Sequence, residues 1–173
     1  MPYSNDPLAR LDVLILDGHR GAREVLRGIL REFGLARLRD LADGAAALTE
    51  IRRRPPNLII TDWMLGPMDV LGFLRCLRAQ PHARLRIIPV LLVTAQTDVW
   101  RIAAARDAGV TEVLAKPVST QDLALRLLSI LAQPRPFVRA PHYLGPCRRR
   151  RVDPFFDARE RRDAGIRWLT QDG

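Results

Sequence analysis

Four residues of this 173-residue chain have types that could do chemistry together: Asp17, Asp62, Thr94 and Lys116. Each closes or follows a short apolar run, LDVLIL before Asp17, LIIT before Asp62, IIPVLLVT ending at Thr94 and EVLA before Lys116. Singly they are ordinary, since Asp is common in turns, Thr is a good strand former and Lys is usually solvated. Brought to one place, they put a second acid, a hydroxyl and an ammonium around one carboxylate, a set suited to holding and positioning charge. Lys116 carries extra weight because the chain uses 27 Arg and no other Lys. An ammonium is a compact point charge that can enter a narrow crevice, whereas a guanidinium is a wide planar fork.

The elements that must position these residues are legible as βα repetition. LDVLIL (11–16) reads as a buried strand, followed over 20–33 by a helix with Val25, Leu26, Ile29, Leu30 and Phe33 on one face, ended by Gly34. A weaker strand near 36–40 leads to a helix from Asp43 to Arg54, stopped by Pro55 and Pro56. LIIT (58–61) is the next strand, with a helix over 69–79 that ends before Pro81. IIPVLLVT (87–94) is the longest apolar run, and a helix from Asp98 to Ala108 follows it, closed by Gly109. EVLA (112–115) is the last strand, after which Ser119 and Asp122 form a capping box for a helix to Leu131. Five such units with consecutively apolar strands require a parallel sheet covered on both faces, an α/β doubly wound fold with the chemistry beyond the carboxyl ends of the strands.

Residues 8–133 resemble a CheY-like receiver domain of two-component response regulators, with the flavodoxin-like strand order 2-1-3-4-5. The resemblance is carried by LILDG (14–18), PNLIITDWMLGPMDVLGFL (56–74), VLLVTA (90–95) and AKPVS (115–119). It implies a phosphoacceptor at Asp62, which takes a phosphoryl group from a sensor histidine kinase, a phosphotransfer protein or a small phosphodonor. It further implies Mg²⁺ held by Asp17, Asp62 and the backbone carbonyl of Met64, a bond from Thr94 to a phosphoryl oxygen, and an ion pair from Lys116 to Asp62. Output would pass through contacts with a downstream protein, without enzymatic turnover.

Three departures from the family pattern stand out. Gly18 occupies a position that is usually a second acid beside Asp17, which predicts weaker Mg²⁺ binding, and His19 reads as a helix-start residue, imidazole being a poor ligand for a hard cation. Gly66-Pro67 reverses the usual order in the loop after Asp62. Val113 falls where many receivers carry a Tyr or Phe that reports phosphorylation, so the relay from Thr94 to such an aromatic is missing. The alternative reading is a pseudo-receiver adaptor with another input.

That input would lie in residues 134–173, which hold ten Arg against five acidic residues and so more than half of the net +9. Four Pro in 134–147 argue for a stiff extended connector without a central strand. Beyond it, YLGPCRRRR (143–151) is similar to the arginine-rich extension of the Cle group of CheY-like proteins. That similarity implies cyclic di-GMP binding by Arg148, Arg149, Arg150 and Arg151 and a role at the flagellar motor. Nucleic-acid binding is a less favoured use of the same charge, since forty residues are too few for a helix-turn-helix output domain. A haloacid-dehalogenase-type phosphatase needs an acid where His19 stands, and flavodoxin-like FMN binding lacks its phosphate cradle. Cys76 and Cys147 read as reduced thiols, and the absence of a long apolar run points to the cytoplasm without membrane insertion.

Overall fold

A computed structural model of the chain describes residues 10–132, 134–141 and 143–147, and the backbone of 167–169. The chain runs β1 (Asp12–Leu16), α1 (Arg20–Glu32), β2 (Arg37–Leu41), α2 (Gly44–Arg53), β3 (Leu58–Thr61), β4 (Met64–Leu65), β5 (Met68–Asp69), α3 (Val70–Arg78) and α4 (Ala83–Arg86). It continues with β6 (Val90–Thr94), α5 (Val99–Asp107), β7 (Glu112–Ala115), α6 (Thr120–Ala132), β8 (Phe137–Ala140), β9 (Tyr143–Pro146) and β10 (Arg167–Leu169). The main sheet is parallel in the order β2-β1-β3-β6-β7, so its five strands counted among themselves follow 2-1-3-4-5.

Side chains alternate between the two faces of a strand, and here both faces are covered. Leu14, Leu16, Ile59, Val90 and Leu92 pack with Leu48, Phe73 and Leu77 from α2 and α3. Val13, Ile15, Leu58, Ile60, Leu91 and Val93 pack with Leu26 and Leu30 of α1 and Leu123 and Leu127 of α6. Double burial is why these strands read as unbroken apolar runs. β2 is the exception, with sequence RLRDL, because it is an edge strand held partly by ion pairs. Arg39 on β2 reaches Asp12 at 2.7 Å and Glu50 at 2.7 Å.

Three expectations are corrected here. Val25 is not part of the buried face of α1: Leu26 and Leu30 are buried, Ile29 and Phe33 are half-buried, and Val25 is 62% exposed at the edge of the stripe. The run 87–94 is a strand only from Val90, because Ile87 caps the short helix α4 and Pro89 has no N–H for the ladder. Pro89 still accepts a bond at its carbonyl from the Ile59 N–H, 3.0 Å. No helix among the described residues is long and apolar enough to cross a membrane.

The largest correction concerns 134–147. Instead of an extended connector, β8 and β9 form an antiparallel hairpin, with β10 on the other side of β8, so β8 is central in a second sheet. The prolines permit it by position: Pro136 precedes β8, Pro141 is in the turn and Pro146 ends β9, leaving the FVRA ladder intact. The hairpin docks on the chain entering β7, the end of the sheet away from the strand carboxyl termini. Phe137 is buried under the Arg78 guanidinium, 4.9 Å from ring centroid to Cζ, and Arg135 reaches the buried Glu112 at 2.5 Å. Gly109 makes the close approach possible: it has φ +96°, and a Cβ there would lie 2.7 Å from the Leu144 carbonyl oxygen. Arg148, Arg149, Arg150 and Arg151 lie outside the described residues.

Candidate functional site

The carboxyl ends of β1, β3, β6 and β7 bring the strand-end residues to one crevice. Asp17 follows β1 and is buried, with Oδ1 accepting from the His19 N–H (2.8 Å) and Oδ2 from Lys116 Nζ (3.1 Å). Asp62 follows β3, its backbone N–H bonded to the Leu16 carbonyl at 2.8 Å, which ties it to the neighbouring strand. Its Oδ1 accepts from the Trp63 N–H (2.7 Å) and its Oδ2 from Lys116 Nζ (2.9 Å). Lys116 therefore bridges the two carboxylates. Its backbone N–H donates to the Thr94 carbonyl at 2.9 Å, an extension of the β6–β7 pairing that places the ammonium stem beside Thr94. Thr94 is itself buried, with Oγ1 accepting from the Gln96 N–H at 3.0 Å.

Burial pulls the Lys116 pKa down, but hydrogen bonds and charge from Asp62 and Asp17 outweigh it and hold the value above that of an ordinary lysine. The group is an ammonium throughout the neutral range. It neutralises part of a doubly acidic crevice that would otherwise repel an incoming anion.

Around this core the loops are built to close-range rules. After Asp62 the chain makes the tight pair β4–β5 around Gly66, whose φ of +71° supplies the left-handed turn that Gly66-Pro67 left unspecified in sequence. That turn brings the Met64 carbonyl beside Gly18: a Cβ placed on Gly18 would sit 3.5 Å from it, ordinary van der Waals distance. His19 caps α1, accepting from the Ala22 N–H at Nδ1 (3.4 Å), which agrees with its reading as a helix-start residue. Two carboxylates and one carbonyl are thus available to a hard divalent cation, and the described residues hold no cluster of three or more acidic, His or Cys side chains that would complete a protein cage. Such a donor set fits a cation that keeps waters and takes ligands from a phosphate.

One group of residues was not anticipated from the sequence. Trp63, directly after Asp62, is buried, and the Arg101 guanidinium of α5 lies over its ring at 5.3 Å and over the Trp100 ring at 4.5 Å. The Trp next to Asp62 was the available signal. Val113, in contrast, is only half-buried on β7 and lines a cavity of about 420 Å³ with Arg106, Arg126, Arg135 and Tyr143.

Comparison with known proteins agrees with this geometry. Residues 13–128 match the family described as the response regulator receiver domain. The chain is 31% identical over 120 residues to chemotaxis protein CheY of Pseudomonas aeruginosa, covering 69% of this chain and 95% of that protein. Among solved structures it is similar to Vibrio cholerae chemotaxis protein CheY4, with TM-score 0.64 and 25% identity over 70% of this chain and 98% of that one. It is also similar to the receiver domain of a sensor histidine kinase from Pseudomonas aeruginosa PAO1, solved with magnesium in its active-site cleft, with TM-score 0.62 and 25% identity over 68% and 94% of the two chains.

Proposed function

The chain belongs to the response regulator receiver-domain family of two-component signalling, and on that premise we propose that it is a switch rather than an enzyme, phosphorylated on Asp62 and read by a protein partner. The observation that carries this reading is the Lys116 ammonium shared between Asp62 at 2.9 Å and Asp17 at 3.1 Å, with Thr94 in the same crevice. In the step itself a carboxylate oxygen of Asp62 attacks the phosphorus of a kinase phosphohistidine. The O–P bond forms, the P–N bond breaks, and the imidazole leaves with the electron pair and takes up a proton. Lys116 follows the charge from carboxylate to phosphoryl oxygen, and the Thr94 hydroxyl donates to another of those oxygens. Positioning and neutralisation of this kind supply most of the catalysis in phosphoryl transfer.

Asp17, Asp62 and the Met64 carbonyl are the groups that would hold Mg²⁺, the ion seen in the cleft of the histidine-kinase receiver domain. When bound, the ion supplies further neutralisation of the transferring phosphoryl oxygens. Gly18 leaves one family ligand unfilled, and a Cβ there meets the Met64 carbonyl oxygen only at ordinary van der Waals distance, 3.5 Å. Gly18→Asp is therefore expected to raise Mg²⁺ affinity about tenfold, a gain of ~1.4 kcal/mol from one more carboxylate. Calorimetric titration of Mg²⁺ into both proteins reads this directly, and equal affinities would mean the ion does not use that corner.

The test of the function is the intact mass of the full chain after incubation with Mg²⁺ and a small phosphodonor. Gain of one phosphoryl group that disappears in Asp62→Asn is the expected result. No gain under conditions that label an ordinary receiver domain would overturn it. Upstream, the partner is a sensor histidine kinase or phosphotransfer protein, and downstream a protein target. The second reading, cyclic di-GMP binding by Arg148–Arg151 with action at the flagellar motor, is supported only by the arginine-rich sequence, and no distance among the described residues favours it.

A further inference from the structure

Val113 leaves β7 without an aromatic side chain to link the crevice to the surface, yet the described residues contain a different continuous connection. It begins at both reacting groups. The Asp62 Oδ1 accepts from the N–H of Trp63, and the Thr94 Oγ1 accepts from the N–H of Gln96. The side chains of those two neighbours meet on Arg101: its guanidinium lies over the Trp63 ring, and its Nη1 donates to Gln96 Oε1. The same guanidinium also lies over Trp100, which is 63% exposed on the first turn of α5, and its Nε lies 3.3 Å from Asp98 Oδ2.

From this juxtaposition we propose that Arg101 is a positioning residue that couples the state of Asp62 to the surface around Trp100. The proposal rests on the phosphoacceptor reading above. A phosphoryl group on Asp62 redirects the Thr94 hydroxyl, and the Gln96 N–H then loses or re-forms its bond to Thr94 Oγ1. Because Gln96 holds Arg101 by its side chain, the 95–98 segment and the guanidinium move together. The guanidinium is shared between two indole faces and two polar partners, contacts of similar strength, so a small change at Gln96 is enough to redistribute it. A lysine could not substitute, because the planar fork is what stacks and donates at once.

The test uses tryptophan emission and intact mass in parallel on the full chain, before and after Mg²⁺ and phosphoramidate. Trp168→Phe removes the third tryptophan, and the difference between that protein and Trp100→Phe/Trp168→Phe isolates Trp100. The expected result is a Trp100 emission change that tracks the mass gain, and in Arg101→Ala an unchanged mass gain with the emission change lost. Gln96→Ala, which leaves α5 untouched, is expected to lose the emission change as well, and Arg101→Lys not to restore it. Mass gain with no Trp100 change in the parent, or an undiminished change in Arg101→Ala, overturns the coupling while leaving the phosphoacceptor reading intact. Loss of the mass gain in Arg101→Ala also overturns it, by placing Arg101 in the transfer step. Absence of mass gain in the parent overturns the phosphoacceptor reading and the coupling with it.

Discussion

Lys116→Met is expected to slow phosphoryl uptake by Asp62 about a hundredfold or more, the usual consequence of removing one preorganised cation or donor from a transition state. The measurement is the rate of mass gain at fixed Mg²⁺ and phosphodonor. Two effects add. The Met side chain fills the space of the lysine stem but leaves the Asp62 and Asp17 oxygens, now bonded to Nζ at 2.9 and 3.1 Å, facing one another without a cation between them. It also removes the charge that would follow the phosphoryl group after transfer. Lys116→Arg is expected to recover little, because a guanidinium fork does not present one point charge to both oxygens. The pH dependence follows from the raised Lys116 pKa, in which burial opposes and the two carboxylates prevail. A raised folded-state value contributes stability that is fully present below the ordinary lysine pKa and is lost as pH rises through the folded value. The parent should therefore show no loss of this bridge between neutral and mildly alkaline pH. A Lys116→Met protein labelled at the parental rate would remove Lys116 from the mechanism.

Arg78→Met is expected to cost about 3 kcal/mol or more in unfolding free energy, because buried carbonyls left without donors cost ~1–3 kcal/mol each. Arg78 is buried on the core side of α3 and pairs with no carboxylate among the described residues. Its Nη1 donates to the carbonyls of Arg86 (2.7 Å) and Ile88 (2.8 Å), and its Nη2 and Nε donate to that of Gly109 (2.7 and 3.2 Å). Burial pushes its pKa down to about 9, with Tyr143 opposing, which leaves it cationic at neutral pH. One side chain thus ties α3, the loop before β6 and the turn before β7 together, and caps Phe137 of the hairpin as well. Urea unfolding followed by circular dichroism reads the global cost, and protease cleavage within 137–146 reads release of the hairpin. An unchanged urea midpoint would show that solvent satisfies those carbonyls and that Arg78 is not a structural tie.

Both outcomes bear on how this fold would support the proposed switch. The proposed phosphotransfer chemistry sits at the carboxyl ends of the strands, while Arg78 and the hairpin brace the opposite end of β7. Damage at the braced end should lower stability without touching Asp62, whereas damage at Lys116 should act directly on Asp62. Hairpin residues Tyr143 and Pro146 line a cavity together with Val113, and the large apolar side chains exposed among the described residues include Met64, Val99 and Trp100.

Much of this was legible in the chain itself, for a physical reason. A strand buried on both faces must be apolar at consecutive positions, and a helix packed on one face must repeat near every third or fourth, so the parallel sheet and its order of units follow from short-range patterning. Parallel strands end on the same side, so Asp17, Asp62, Thr94 and Lys116 were bound to converge once the sheet was read. Tertiary structure alone decided which groups touch. Lys116 meets Asp17 and Asp62 across 99 and 54 positions. Arg78 finds its carbonyls in two separate segments, at 86–88 and at Gly109, and the proline-rich 134–147 becomes a hairpin because Gly109 and Arg78 give it a surface to dock on. Contacts like these depend on surfaces assembled from distant parts of the chain, and no local pattern records them.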